Sequence, residues 1–230
     1  MTTPPLLKNL SLLVLAAACA LSALRAADPV PPKPQNVLTP DQSLQRLIEG
    51  NKRYVSGQMK SHDFLPERAS LAAGQNPFAS ILSCADSRIA PEYAFDTGRG
   101  DLFVVRVAGN FVSKEGLASL EYGSLVLNSP LIVVLGHDSC GAVTSTIKGV
   151  TQNAKFPGQI PSLVDALKPA VKAAQGEKGD LLANATRENV RLNVEKLKES
   201  NPILREAVRS GRLKIVGAIY HLADGRVEFL

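Results

Sequence analysis

The sequence predicts an α/β fold, with a mainly parallel central sheet of four strands, an antiparallel edge strand and flanking helices. Three short apolar runs support this prediction, namely Phe78 to Leu82, Leu102 to Val107 and Leu131 to Leu135. Each run is rich in Val, Ile or Leu and ends at turn residues, which is typical of strands buried on both faces of a parallel sheet. Lys114 to Asn128, between the second and third runs, has leucines at helical spacing. The order strand, helix, strand indicates parallel winding.

The remaining elements are predicted from similar patterns. Thr39 is expected to cap a helix that begins at Pro40, because threonine is a good N-cap and proline suits the first helical position. Leu213 to Tyr220 is expected to be the fourth parallel strand, and Arg226 to Leu230 to pair back on it as the antiparallel edge. Helical patterns that precede the fourth strand run over residues 160–174, 182–199 and 202–209.

The N-terminal residues differ in composition from the rest of the chain. Lys8 precedes an apolar run from Leu10 to Leu24, and the small residues Ala26 and Ala27 follow it. This order predicts a signal peptide over residues 1–27, since a membrane span needs about 20 apolar residues. Residues 28–38 are expected to form a Pro-rich spacer and residues 39–230 a single domain. We therefore expect the mature protein to be exported to the periplasm, with no stable membrane anchor after cleavage. An uncleaved anchor and a lipoprotein at Cys19 are the alternatives.

The net charge of +5 raises the question of nucleic acid as a partner. The basic residues do not form a block, however, and aromatic residues make up only 5% of the chain. A nucleic-acid surface normally concentrates Lys and Arg on one face. The scattered charges are typical of solvated surfaces, so we expect no nucleic-acid partner.

Two cysteines remain in the predicted mature chain, and each follows a predicted strand. Cys84 comes after the first strand, and His137 and Cys140 come after the third. The carboxyl ends of parallel strands meet at one edge of the sheet, where ligands bind. Two thiolates and one imidazole form a known catalytic zinc set that leaves a fourth position for water. A disulfide between Cys84 and Cys140 is the alternative, because exported proteins usually pair their cysteines.

The segment C-A-D-S-R at 84–88 places Asp86 and Arg88 next to the first cysteine. Charged side chains are rarely buried unless they are paired, and an Arg fork holds a carboxylate by two hydrogen bonds. A carboxylate held in this way beside a metal accepts a hydrogen bond from the metal's water, or displaces that water and caps the metal. Asp86 and Arg88 are therefore candidate catalytic residues, with Asp86 as a fourth ligand in a closed state.

Over residues 40–230 the chain resembles the β-carbonic anhydrases. The resemblance is carried by E-G-N-K-R-Y (49–54), C-A-D-S-R (84–88), G-D-L-F-V-V-R (100–106), A-G-N (108–110), S-L-E-Y-G (119–123) and G-H-D-S-C-G-A-V (136–143). It implies that Cys84, His137 and Cys140 bind Zn²⁺ and that Asp86 with Arg88 is the catalytic dyad. The implied reaction is reversible hydration of carbon dioxide to bicarbonate and a proton, through a zinc-bound hydroxide that the dyad orients.

The same resemblance implies a substrate pocket and an oligomer. Gln75, Phe103 and Tyr122 match positions that line the pocket, some of them contributed across a dimer interface, and Gly141 matches a backbone donor that steadies bicarbonate. We therefore expect a homodimer or a higher homo-oligomer. For Phe103 and Tyr122 a role as ordinary aromatic core residues stays open.

The chain departs from the family pattern at three positions. Val107 stands where Asn is usual after the arginine, and Asp138 replaces a usual Ser or Thr, which adds a negative charge beside His137. Ile81 occupies the place of a Trp that marks a regulatory bicarbonate pocket in some members, and the chain has no Trp. Two other functions stay open: hydrolysis of carbonyl sulfide or carbon disulfide with the same ligands, and a non-enzyme with a structural disulfide.

Overall fold

The sheet has five strands in the spatial order β2-β1-β3-β4-β5. The structure is a computed structural model and describes residues 38–230, so the predicted signal peptide and most of the predicted spacer lie outside the described residues. The strands are β1 (Ala79–Ser83), β2 (Leu102–Arg106), β3 (Leu131–His137), β4 (Lys214–Tyr220) and β5 (Val227–Phe229). The first four pair in parallel and β5 pairs with β4 antiparallel. The predicted fold class is confirmed.

Eight helices flank this sheet in the described part of the chain. They are α1 (Pro40–Val55), α2 (Phe64–Ala73), α3 (Pro91–Ala94), α4 (Lys114–Leu125), α5 (Gly141–Gln152), α6 (Ile160–Ala174), α7 (Leu181–Lys198) and α8 (Ile203–Arg209). The predicted cap of α1 is observed: the Thr39 hydroxyl accepts from the Gln42 backbone N–H, and the Gln42 side chain accepts from the Thr39 N–H. This reciprocal pair is a capping box. None of the helices in residues 38–230 is long and apolar enough to cross a membrane.

The sequence patterns did not predict α2, α3 and α5. Helix α2 has no buried residue, so it lacks the apolar stripe on which the prediction depends. Helix α3 has only four residues. Helix α5 contains Gly and several β-branched residues of low helix propensity, and its burial of Val143 and Thr146 supplies the stabilisation that local propensity lacks.

Alternate residues of the central strands point into two separate cores. Ile81 and Val133 pack into one core together with Leu47 of α1 and Leu167 of α6. On the other face Leu82, Ile132 and Val134 pack with apolar residues of α7 and α8. Every residue of β1 and of β3 is buried. Side chains at the carboxyl ends of these two strands are therefore held by well-packed elements.

Candidate metal centre

Cys84, His137 and Cys140 meet at the carboxyl ends of β1 and β3. Cys84 directly follows β1, His137 is the last residue of β3, and Cys140 is the N-cap of α5. Their sulfur and imidazole nitrogen atoms all lie within 4.8 Å of one another, and all three side chains are buried. Neighbouring strands thus bring together residues that are far apart in the sequence, as the parallel winding predicts. The group has the size and chemistry to hold one metal ion.

The imidazole of His137 is prepared to act as a ligand. Its Nδ1 lies 2.8 Å from the backbone oxygen of Asp138, so Nδ1 is the donor of that hydrogen bond and the lone pair is on Nε2. Nε2 is buried and has no hydrogen-bond partner among the described residues. Buried polar atoms are nearly always satisfied, and a ligating histidine usually donates its other N–H to an oxygen in this way. The orphaned Nε2 therefore fits a metal.

The two sulfurs favour a shared cation over a covalent bond. Cys84 and Cys140 are free cysteines, so the structure does not contain the alternative disulfide. The pKa of the Cys84 thiol is lowered to about 4, mainly by a hydrogen bond from Cys140 and in smaller part by the Gly109 N–H, 3.3 Å from its Sγ. The hydrogen bond to Cys84 and burial raise the pKa of Cys140. Two sulfurs and one imidazole form a donor set that zinc prefers.

Asp86 and Arg88 form a bidentate ion pair at the edge of this centre. The Arg88 Nε and a terminal guanidinium nitrogen donate to the two Asp86 carboxylate oxygens at 2.9 and 2.7 Å. The Arg88 backbone N–H donates to the same carboxylate. These bonds hold the pKa of Asp86 well below its usual range. Asp86 is thus an anion of fixed orientation, and its Oδ2 lies 3.9 Å from His137 Nε2.

Arg106 fixes the backbone that carries Cys84 and Asp86. This last residue of β2 donates to the carbonyl oxygens of Cys84, Asp86 and Ile89 at 2.9, 2.7 and 2.9 Å. The segment after β1 therefore has its carbonyl groups satisfied by one guanidinium. Arg106 belongs to the segment G-D-L-F-V-V-R, but its sequence pattern did not predict this role. A charged residue at the end of an otherwise apolar strand was the available signal.

Asp138, the unusual acidic neighbour of His137, is tied to the connection between β4 and β5. Its Oδ1 accepts from the Leu222 backbone N–H at 3.0 Å, and its Oδ2 lies 3.4 Å from His221 Nδ1. The other imidazole nitrogen of His221 lies 3.3 Å from a Glu228 carboxylate oxygen. The added charge is therefore used to anchor the ligand segment, with His221 between two carboxylates.

The residues expected to line the substrate pocket lie elsewhere in this chain. Phe103 pairs in register with Ser80, four residues before Cys84, and its ring lies 6.2 Å from that of Tyr122. Gln75 is exposed and precedes β1, at the end of the strand opposite to Cys84. A single chain therefore does not bring these three residues to its own metal centre.

Gly141 is the first residue of α5, directly after the ligand Cys140. It is exposed, and a Cβ added there would contact nothing within 4 Å. The first amide groups of a helix have no partner within the helix. The Gly141 N–H is thus placed at a helix N-terminus, which favours anions.

Comparisons with known proteins agree with this geometry. A sequence profile of the family described as carbonic anhydrase matches residues 79–227. Carbonic anhydrase 2 of Mycobacterium tuberculosis is 41% identical over 181 residues, which cover 78% of this chain and 87% of that protein. The carbonic anhydrase of Mycolicibacterium smegmatis is 39% identical over 183 residues, or 79% of this chain and 89% of that protein.

Solved structures show the same relationship. The β-carbonic anhydrase CcaA superposes with a TM-score of 0.62 at 30% identity, covering 81% of this chain and 98% of that one. A structure described with two tetrameric β-carbonic anhydrases from Sordaria macrospora has a TM-score of 0.62 at 25% identity, covering 82% and 93% of the two chains.

The α/β fold and the centre at its strand ends thus define a metalloenzyme of the β class. The chain belongs to the carbonic anhydrase family, and its relatives identify it as a carbonic anhydrase, a lyase. The expected family and enzyme class are confirmed, and the hypothesis of a non-enzyme with a structural disulfide is wrong.

Proposed function

We propose that this protein is a zinc enzyme that hydrates carbon dioxide reversibly to bicarbonate and a proton. Cys84, His137 and Cys140 hold the zinc in this proposal. The observation that carries it is the approach of three ligand atoms to within 4.8 Å of one another, together with the buried Nε2 of His137 that has no partner in the described chain. Zinc, when bound in such a site, is a Lewis acid that makes water a nucleophile near neutral pH.

Asp86 is proposed to orient the attacking water. Its Oδ2 lies 3.9 Å from His137 Nε2, so a water that enters the centre between these two residues would be within reach of this acceptor. The Arg88 guanidinium keeps the carboxylate ionised and aimed, so that Oδ2 accepts and does not donate. The water's lone pair then points at the carbon of the substrate, and the proton released afterwards leaves to buffer. Correct orientation of reacting groups accounts for much of enzymatic rate enhancement.

A second copy of the chain is proposed to complete the pocket. The edge of β2 carries no partner strand in the described residues, and Tyr122, Leu125 and Val126 are exposed beside it. Open strand edges and exposed apolar residues are common at protein interfaces. A copy docked there would bring its own pocket residues toward this metal centre, and the Sordaria macrospora relatives are described as tetrameric.

The Gly141 amide is proposed to bind the product. Its N–H lies at the start of α5 beside Cys140, where the helix dipole favours an anion. Bicarbonate formed at the metal centre would accept this hydrogen bond before it is displaced.

Metal analysis and a hydration assay test the assignment together. We expect one zinc per chain in the wild-type protein and carbon dioxide hydration that stops when a chelator removes it. His137→Gln is expected to lose both, whereas the control His62→Gln, at a histidine that stacks on Phe64 outside the centre, keeps the metal. A wild-type protein with full activity and no bound metal would contradict the proposal. Sulfide release from carbonyl sulfide or carbon disulfide, measured in parallel, tests the alternative substrate.

Export through the N-terminal signal peptide is part of the same proposal. It depends on Lys8, the apolar run from Leu10 to Leu24 and the small residues at 26 and 27. Expression of the full chain in a Gram-negative host is expected to yield periplasmic protein that starts near residue 28. Mass spectrometry of the purified protein checks this, and an intact N-terminus in the cytoplasm would exclude it.

A further inference from the structure

The loop after β2 touches the metal centre through one amide group. The Gly109 backbone N–H donates to Cys84 Sγ at 3.3 Å, and this hydrogen bond is buried. Gly109 has a φ of 85°, and a Cβ at this position would lie 2.6 Å from Leu167 Cδ1. The next residue, Asn110, also has a positive φ, of 41°. A loop of such unusual conformation needs support from its surroundings to keep this amide aimed at the sulfur.

Two buried asparagines of α7 supply this support. Asn189 Nδ2 donates to the Gly109 carbonyl oxygen at 2.8 Å. Asn193 Oδ1 accepts from the Val112 backbone N–H at 2.7 Å. Both side chains are buried, at 2% and 7% exposure. The loop is therefore held at two points by α7, a helix whose Asn189 lies 80 residues after Gly109 in the sequence.

The two asparagines also fix each other's orientation. Asn193 Nδ2 donates to Asn189 Oδ1 at 2.9 Å, so the Asn189 oxygen is occupied as an acceptor. The Asn189 Nδ2 must then face Gly109. Lys196, one turn further along α7, donates to the Val112 carbonyl oxygen at 2.8 Å. One face of α7 thus satisfies three backbone groups of the loop, namely the Gly109 carbonyl and both the N–H and the carbonyl of Val112.

We propose that Asn189 is a positioning residue for the metal centre, which sets the electron donation of Cys84 through the Gly109 amide. The inference rests on the proposed ligation of a metal by Cys84. A hydrogen bond to a thiolate withdraws electron density from the sulfur, so the sulfur gives less to the metal and the metal stays a stronger Lewis acid. Partners of this kind typically change metal affinity or activity about 10- to 100-fold.

Cobalt substitution measures this effect at the sulfur itself. In the Co²⁺ form of the wild-type enzyme we expect a sulfur-to-cobalt charge-transfer band. Asn189→Leu, of similar volume, and Asn189→Ala, without added bulk, are expected to shift this band to longer wavelength. Zinc affinity, measured by competition with a chelator, is expected to fall about 10-fold in both variants, because Cys84 loses a partner that holds it in place and this loss outweighs the gain in electron donation.

Asn51→Leu is the matched control. Asn51 is also buried and makes three hydrogen bonds, to the carbonyl oxygens of Ala94 and Gly225 and from the Val227 N–H. We expect this variant to lose thermal stability and to keep the wild-type band and zinc affinity. A band and an affinity unchanged in both Asn189 variants, or moved equally by Asn51→Leu, would overturn the inference.

A measurement on the wild-type protein needs no variant. In the enzyme substituted with ¹¹³Cd, the Gly109 amide proton is expected to show scalar coupling to cadmium through Cys84 Sγ. If the site binds cadmium but the Gly109 amide proton shows no coupling, the inference about Asn189 is overturned, while the assignment of Cys84 as a ligand is not. If the wild-type protein shows no thiolate-to-metal band, the assignment of Cys84 as a metal ligand is wrong, and the inference fails with it.

Discussion

The Oδ2 atom of Asp86 lies 3.9 Å from Nε2 of His137, the orphaned ligand nitrogen. The same oxygen accepts a hydrogen bond of 2.7 Å from the Arg88 guanidinium. The carboxylate thus stands beside the candidate metal centre while the Arg88 guanidinium holds both of its oxygens. This arrangement suits a hydrogen-bond acceptor for the nucleophile, and it separates the roles of the two residues experimentally.

Asp86→Asn is expected to lower kcat/KM for carbon dioxide hydration at least about 100-fold, because a properly placed proton acceptor commonly contributes that much. The amide keeps the volume of the side chain but offers a donor where an acceptor is needed. Zinc content is expected to stay at one per chain, as measured by elemental analysis.

Asp224→Asn is the control for this substitution. Asp224 and Arg226 have the same spacing as Asp86 and Arg88 and also form an ion pair, with both side chains more than half exposed. We expect wild-type kinetics. Similar losses in the two variants would show that the effect of Asp86→Asn is not specific to the metal centre.

Arg88→Gln is expected to move the acid limb of the pH–rate profile to higher pH. The Arg88 hydrogen bonds depress the pKa of Asp86, so the ionised form persists below the ordinary carboxyl pKa of about 3.9. Without the guanidinium the carboxyl takes up its proton at higher pH and loses its acceptor function there. Initial rates measured from about pH 3 to 8, with the zinc content checked at each pH, test this, and an acid limb that coincides with that of the wild type would contradict it.

Gly109→Ala is expected to destabilise the protein more than Gly57→Ala. Both glycines have positive φ, of 85° and 70°, so alanine brings a backbone cost of about 1 kcal/mol at either position. At Gly109 the new Cβ also meets Leu167, whereas at Gly57 nothing lies within 4 Å. Overpacking adds about 1–3 kcal/mol. Urea unfolding of the two variants measures the difference, and equal losses would refute the steric argument.

Leu125→Glu is expected to disrupt the oligomer and to lower activity with it. Leu125 is 56% exposed at the end of α4, a helix that packs against β1 and β2, and a carboxylate buried there in an interface would be unpaired. The control Ile160→Glu changes an aliphatic residue of α6 that is 42% exposed. Sedimentation velocity and hydration rates are measured on both. A wild-type assembly state in Leu125→Glu would place the interface elsewhere.

The central sheet could be predicted because its signal is local. Runs such as Leu131 to Leu135 are apolar, short and bounded by turn residues. Cys84 and His137 come just after the ends of such runs. Burial of every residue in β1 and β3 agrees with the interpretation of uninterrupted apolar runs as buried strands. The meeting of the ligands followed from parallel winding alone.

The side chains that hold the segments of the site in place could not be predicted from the sequence, because they bind backbone groups. Arg106 binds three carbonyl oxygens, and Asn189 binds the carbonyl oxygen of Gly109. Every residue has a carbonyl group, so these contacts leave no trace in residue type. Helix α5 was missed for a different reason, since packing of Val143 and Thr146 outweighs the low helix propensity of its own sequence.

The ligand set is divided between two neighbouring strands, with Cys84 after β1 and His137 at the end of β3. An extended polypeptide has no such site, because 53 residues separate these two ligands along the chain. In the proposed zinc enzyme the complete ligand set therefore exists only where β1 and β3 have paired, so free energy of metal binding would become free energy of folding. The supply of zinc that would matter is the one in the compartment where the chain completes its tertiary structure.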